Sequence, residues 1–483
     1  MRQLSENKSI GFIRKNPQSP ASERFGVGFE KLDRNAFDPS DKYDKLAALG
    51  VKWVRILSGW EKTEKIKGVY DFSWLEEVVD RLSANGLTAW ICLCYGNPLY
   101  TESAKKVFGS VGCPPIFSNE EKNAWLAYCK ALARKFKGKV KYYEIWNEPD
   151  GVQCWKHGTS AIEYSEFCKS TAAALREVDG GIYIVGGALG VSERWGCYLK
   201  KALENGMAEN LNAISFHHYA AYPEANLSFI NQLKDLIYEY KPLEIIHGEN
   251  GCPSSIDGNG SLHACNWTER RQAAYLLRNM IVDIKCGVKF SSWFSFVDMM
   301  EGLFGTRDDV STRKDYGYYG LLGAEFNENG EAIGNFNPKK SYYAYQNLAA
   351  ALGGEFRSFE FPKSKPYPLH WSFETGNFDE SGDDFVCVGL KRKNGAQAFC
   401  YYKPVNILST EFDSTVSFIF QNVSEDMKIV DLLSGEVYAV SKDNIEIRER
   451  YGDCCVEVKG LPVKDYPLLL TFGDFCDENI QNK

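Results

Sequence analysis

The chain has 483 residues, 44% of them apolar and 25% charged, with a net charge of −8. That length suits several domains, or one large barrel with an appendage, around a substantial core. The acidic balance and the lack of a basic run exclude nucleic acid and anionic membrane surfaces as partners, and no run of about 20 apolar residues offers a membrane span.

Taken in chain order, residues 1–24 are polar and of mixed charge, with no apolar leader core, and are expected at most to lend a strand to a later domain. From residue 25 to 352 a short apolar strand, a loop and an amphipathic helix recur. Strands are expected at 25–30, 53–58, 88–95, 140–147, 183–187, 213–219, 244–249 and 289–297. They are apolar on both faces, as parallel strands covered by helices must be. The helices carry their own punctuation. Ser118 with Glu121, and Ser160 with Glu163, have capping-box spacing. Gly50 and Gly86 stand where helices should stop. Eight strand–helix units indicate an α/β fold, a (β/α)8 TIM barrel. A doubly wound sheet would want a Gly-rich phosphate loop after the first strand, and Gly26-Val27-Gly28 lacks the remaining spacing.

After Gly353-Gly354 the pattern changes to alternating segments at 384–390, 396–402, 416–420, 428–433, 456–458 and 468–472, with hairpin turns at Asn394-Gly395 and Ser434-Gly435. Residues 353–475 are therefore expected to form a C-terminal antiparallel β-sandwich. Fifteen cysteines, an odd number scattered through core segments, suit buried thiols in a reducing compartment better than a disulfide framework. The expected location is cytoplasmic, or secreted if a leader has been removed. Neither Cys92-Leu93-Cys94 nor Cys454-Cys455 has zinc-ligand spacing, so no metal site is expected.

The chemistry is concentrated in two strings. Ile145-Trp146-Asn147-Glu148-Pro149-Asp150 ends the fourth barrel strand, and His247-Gly248-Glu249-Asn250-Gly251 ends the seventh. Active sites of such barrels lie at the C-terminal strand ends. Two carboxyl groups delivered there are what glycosidic bond cleavage needs: one proton donor, and one nucleophile or base. Strand alternation puts Glu144, Trp146 and Glu148 on one face. Arg55 points into the barrel from the second strand and must pair with a carboxylate, Glu144 or a catalytic one. In the sixth strand His217 and Tyr219 share a face, and Tyr219 is placed to orient Glu249. Trp293 in the eighth strand is a candidate floor for a sugar ring, or a plain core residue. Trp60, Tyr95, Asn97 and Trp155 lie in candidate cleft loops, where ordinary packing explains them as well.

The string Glu-Ile-Trp-Asn-Glu-Pro-Asp, on a barrel followed by a β-sandwich, resembles the clan A retaining glycoside hydrolases. Within them it is most similar to glycoside hydrolase family 39, the β-xylosidase group. The resemblance implies Glu148 as acid/base and Glu249 as nucleophile of a double displacement. It also implies Asn147 at the sugar 2-hydroxyl, with Arg55, His217, Tyr219 and Trp293 matching other positions of the clan pattern. One departure is His247-Gly248, where the family more often has a Thr or similar residue. The substrate implied is an oligosaccharide or glycoside and no cofactor is required; homo-oligomerisation is left open. A β-xylosidase-like activity is expected. The alternatives are another clan A activity (β-glucosidase, β-galactosidase, α-L-arabinosidase or uronidase) and a non-catalytic carbohydrate-binding protein.

Overall fold

A computed structural model describes residues 8–359, 385–450 and 453–482. Strand β1 (Ser9–Ile13) precedes eight parallel strands: β2 (Ser22–Gly28), β3 (Val51–Leu57), β4 (Thr88–Leu93), β5 (Tyr142–Ile145), β6 (Tyr183–Leu189), β7 (Ala213–His217), β8 (Glu244–Asn250) and β9 (Ser291–Trp293). β2 pairs with β3 on one side and with β9 on the other, so the sheet closes into a barrel. Around and after it run α1 (Tyr43–Ala48), α2 (Trp60–Thr63), α3 (Ser73–Ala84), α4 (Asn119–Lys135), α5 (Ala161–Val178), α6 (Trp195–Glu204), α7 (Ala225–Tyr238), α8 (Glu269–Lys285) and α9 (Lys340–Ala351). Every expected barrel strand is present. Ser118 and Glu121 close a full capping box on α4, whereas at α5 Ser160 accepts from the Glu163 amide without a reciprocal bond. Among the described residues no helix is long and apolar enough to cross a membrane.

The barrel interior is filled from the bottom by aromatic rings. Trp53 stacks on Phe290 at 4.7 Å, Trp90 meets Phe290 edge-on at 5.4 Å, and Val185 and Ile246 complete the plug. Arg55, one inward position above Trp53, lies with its guanidinium 5.5 Å from the Trp90 ring. The plug thus makes the lower half of the barrel apolar and leaves its upper end to polar groups.

Beyond α9 the chain forms antiparallel sheets. One orders 357–359, 386–391, 397–402, 468–472, 427–431, 436–439, β1 and 480–482; the other orders 413–421, 453–464 and 445–450. β1 therefore adds an N-terminal strand to the C-terminal sheet, antiparallel to 436–439 and 480–482. Phe399, Tyr401, Phe418, Phe420 and Phe472 interlock between the two sheets. Residues 1–7 of the N-terminal segment and Asp384 of the first expected sandwich strand lie outside the described residues. α8 joins the two parts: Arg278 donates to Glu224 and to the Val405 carbonyl, while Arg270 makes a two-point contact with Asp465 at 2.6 and 2.7 Å. All fifteen cysteines are free thiols.

Replacing the aromatic plug tests this architecture. Trp53→Ala is expected to cost about 3–5 kcal/mol, the usual range for emptying a buried Trp site, measured as a lowered guanidinium midpoint for loss of the barrel's near-ultraviolet dichroism.

Candidate active site

The upper end of the barrel is organised around Arg55, which is fully buried. Its Nε and Nη2 donate to Glu144 Oε2 at 2.8 and 2.6 Å, Nη1 donates to Glu30 Oε1 at 2.9 Å, and Nη2 reaches Asn147 Oδ1 at 2.8 Å. Nη1 also donates to Glu249 Oε1 in a very close contact. Both partners considered for Arg55, Glu144 and a strand-end glutamate, are therefore engaged at once. Glu144 is held further by the Ser215 hydroxyl.

Glu148 and Glu249 face each other across His217. The His217 Nδ1 lies 3.0 Å from Glu148 Oε1 and 3.5 Å from Glu249 Oε1. The Tyr219 hydroxyl donates to Glu249 Oε2 at 2.9 Å, and Gln153 Nε2 donates to Glu148 Oε2 at 3.2 Å. One ligand atom from each of Glu148, His217 and Glu249 falls within 4.8 Å of the others. The Glu148 and Glu249 side chains are only 15% and 9% exposed.

The surroundings separate the carboxyl groups electrostatically. Burial pushes Glu249 up, but the charges of His217 and Arg55 and the Tyr219 hydrogen bond outweigh it and hold the carboxyl below its ordinary range. Glu30 goes the other way. Burial, helped by the nearby Glu249 charge, raises it to about 7 despite Arg55. Burial would depress His217, yet the Glu249 charge and the Glu148 hydrogen bond raise it, favouring the imidazolium between the two glutamates.

The local backbone explains how the side chains arrive there. β5 stops at Ile145, and Trp146 and Glu148 adopt left-handed φ values of 66° and 46°. The expected alternation through Glu144, Trp146 and Glu148 therefore fails. Glu144 points into the barrel, whereas Trp146 turns outward to pack on Trp125, Trp155 and Phe167. The Glu148 amide donates to the Ala188 carbonyl, and Asp150 accepts the amides of Gly190 and Ser192. That pins the turn to the end of β6. On β8 the pairing with β7 slips between Phe216–His247 and His217–Glu249, a bulge that inserts Gly248. His247 consequently points outward to Asp283 at 2.8 Å and stacks on Phe216, so the departure from the family pattern lies away from the two facing glutamates. A Cβ on Gly248 would stand 3.0 Å from His217 Nε2, so glycine leaves that ring its space.

Of the sequence candidates, Arg55, Asn147, Glu148, His217, Tyr219 and Glu249 come together. Tyr95 joins them, its hydroxyl accepting from Asn147 Nδ2 at 3.0 Å. Four do not. Trp60 is buried among Tyr100, Trp125 and Tyr128 and donates to Glu64. Asn97 bonds the backbone carbonyl of Glu64, and Trp155 packs on Trp146 and Tyr164. Trp293 is fully buried, turned away toward Tyr275 and bonded to the Tyr319 carbonyl. The aromatic at the end of β9 that faces the site is Phe294, beside Tyr219, Tyr319 and the Lys31 ammonium. Sequence reading also passed over Glu30, Gln153 and Cys154. Glu30 carried the signal used for the other glutamates, a carboxyl at the end of an apolar strand.

A barrel with two facing glutamates at its strand ends, packed with a β-sandwich, defines a glycoside hydrolase. Residues 49–302 match the sequence profile described as Glycosyl hydrolases family 39, and the chain belongs to that family. It is accordingly an O-glycoside hydrolase whose substrate is carbohydrate. Among solved structures it is similar to a family 39 glycoside hydrolase from the gut symbiont Bacteroides cellulosilyticus WH2, with a TM-score of 0.65 and 16% identity over 94% of this chain and 81% of that one. It is also similar to a monomeric β-xylosidase from Caulobacter crescentus CB15 (TM-score 0.58, 15% identity, 95% and 97% covered). A third is the GH39 enzyme from Xanthomonas axonopodis pv. citri (TM-score 0.58, 14% identity, 98% and 99% covered). At such identities these likenesses speak for the fold. No curated protein sequence matches the chain.

The raised Glu30 carboxyl has a measurable consequence. A native state that holds this proton more tightly than the unfolded chain loses stability as pH rises from the unfolded value to about 7. Glu30→Gln keeps an acceptor for Arg55 and removes the titration. Calorimetric melting between pH 5 and pH 8 should therefore show a smaller decline for the variant than for wild type.

Proposed function

We propose that the enzyme is a retaining glycosidase of β-xylosidase type, with Glu249 as nucleophile and Glu148 as acid/base. The observation that carries this reading is the separation of the two carboxyl groups, whose nearest oxygens lie within 4.8 Å. Direct attack by a carboxylate requires about 5–5.5 Å between carboxyl groups, whereas inversion leaves room for water at about 6.5–9.5 Å.

In the first step a Glu249 oxygen lone pair forms a bond to the anomeric carbon. The bond from that carbon to the leaving oxygen breaks, its electron pair staying on the oxygen, which takes the Glu148 proton. In the second step Glu148, now a carboxylate, removes a proton from water. The water oxygen attacks the anomeric carbon, and the ester bond to Glu249 breaks with its electron pair returning to the carboxylate. Arg55, Tyr219 and His217 suit this sequence because they hold Glu249 ionised. Asn147, fixed between Arg55 and Tyr95, would hold the sugar 2-hydroxyl. The xyloside preference is supported by family membership and by likeness to a β-xylosidase.

Two experiments test the reading. On a panel of nitrophenyl glycosides, Glu249→Gly should lose at least about 10⁴-fold in kcat, and azide should restore turnover with a glycosyl azide of inverted configuration as product. Turnover by Glu249→Gly at the wild-type rate would remove Glu249 from the role, and the sugar that responds names the substrate class. Tyr219→Phe deletes a hydrogen bond that lowers the Glu249 carboxyl. The acid limb of its kcat/KM profile should therefore move to higher pH, with a loss of about tenfold near neutrality.

A further inference from the structure

Next to the catalytic pair lies a cavity of about 190 Å³, over the ends of β3 and β4. Tyr95, Trp60, Phe108, Gly109 and Arg34 help to line it. Two buried side chains, Tyr95 and Cys154, stand between it and the acid/base side of the site. The Tyr95 hydroxyl is 3.7 Å from Cys154 Sγ, and that sulfur is 3.8 Å from Glu148 Oε2. The cavity is smaller than the ~300 Å³ at which whole small-molecule sites begin, so it suits one substituent of a larger ligand.

Arg34 is the unusual feature of this wall. Its side chain is 5% exposed, yet its Nε has no hydrogen-bond partner, and the nearest carboxylate oxygen, on Asp33, stands 3.5 Å away. Arg55, by contrast, is bonded by three glutamates and an amide. A buried guanidinium without full partners is costly, and here its position is imposed. The turn Leu32–Arg34 is flanked by Lys31 and Asn35 at left-handed φ values of 61° and 55°. The guanidinium sits 5.6 Å from the Tyr95 ring centroid. Its stem lies against Gly109, where any Cβ would come within 2.2 Å of Arg34 Cδ.

The charge of the wall is also in excess. Lys62, Lys65, Arg34 and Arg307 face it with only Asp33 and Glu61 as carboxylates. Glu61 is bound on both oxygens by Arg307 at 2.5 and 2.7 Å. Lys62 spends its hydrogen bonds on neutral acceptors, the Leu32 carbonyl and Asn35 Oδ1, both at 2.7 Å, so its charge remains.

We propose that this cavity is a subsite for an acidic substituent on the leaving-group side of the substrate, a carboxylate or a sulfate, which supplies the partners that the Arg34 guanidinium lacks. The inference rests on the glycosidase reading of Glu148, because Tyr95, on the cavity wall, is one side chain removed from the residue assigned to protonate the leaving oxygen. Arg34 is then a specificity residue, and its planar fork suits either anion.

The test uses the full chain and three aryl β-D-xylosides: 4-carboxyphenyl, 4-sulfophenyl and the neutral 4-carboxamidophenyl. The kcat/KM ratio of an acidic to the neutral substrate, compared between proteins, cancels differences in leaving-group reactivity. Arg34→Met should lower that ratio about 10- to 100-fold. Arg34→Lys, which keeps the stem and the charge, should lower it about threefold or more and carries the test if the Met variant does not fold. The anion showing the larger drop identifies the substituent. A ratio within twofold of wild type in both variants overturns the subsite. Calorimetric titration of wild type with the same compounds separates the two readings. Preferential binding of the acidic xylosides without hydrolysis would overturn the β-xylosidase reading alone. Hydrolysis of all three with no dependence on Arg34 would overturn the subsite alone.

Discussion

The upper half of the barrel depends on one guanidinium buried out of reach of solvent. Arg55 is fully buried, and its hydrogen bonds reach residues of β2's end, β5, the β5 turn and β8. A charge so placed must be matched, and the match is over-supplied. Glu30, Glu144 and Glu249 all bond this one guanidinium. The surplus of negative charge cannot be carried in a medium of low dielectric, so the site retains protons. Burial puts one of them on Glu30, raised to about 7, while Glu249 is held low by His217, Arg55 and Tyr219. Opposed carboxyl behaviour within a few ångströms is how a buried site keeps one carboxyl protonated beside another that is ionised. Here it follows from where Arg55 sits.

The fold was legible because its signal is repeated. Eight apolar runs alternating with amphipathic helices leave few architectures open, and each run became a strand. The glutamates were legible for a related reason, since a carboxyl at the end of a strand apolar on both faces has no structural purpose of its own. What failed was alternation near strand ends. At β5 the left-handed φ of Trp146 ends the strand rule one residue after Ile145. At β9 the regular strand stops at Trp293, and it is the next residue, Phe294, that faces Tyr219. Side-chain parity holds only while the backbone stays extended, and strand ends in a barrel are where it departs from that.

Large aromatics misled for a different reason. Trp60, the first residue of α2, and Trp155, in the loop after β5, lie beyond the strand ends near the barrel mouth, and a flat ring there resembles a sugar platform. Both are fully buried, one against Tyr100, Trp125 and Tyr128 and the other against Trp146, Tyr164 and Phe167. These rings form a second apolar layer behind β4 and β5, and Trp146 belongs to it as well. The site's own wall is more modest: Tyr95, Tyr219 and Phe294, each next to a charged or amide group. Exposure, which separates a platform from a wall, is not written in residue type.

The bulge on β8 shows how a departure in sequence can leave a site intact. Without the bulge, His247 and Glu249, two residues apart on a regular strand, would share a face, and a histidine would enter the site beside Glu249. With it, the register slips so that Glu249 pairs across from His217 while His247 turns to Asp283 on α8. Gly248 occupies the intervening position, and a side chain there would press on the His217 ring that lies between both glutamates. The smallest residue is thus required where the chain adds length. The motif before Glu249 therefore constrains backbone register and the space for His217.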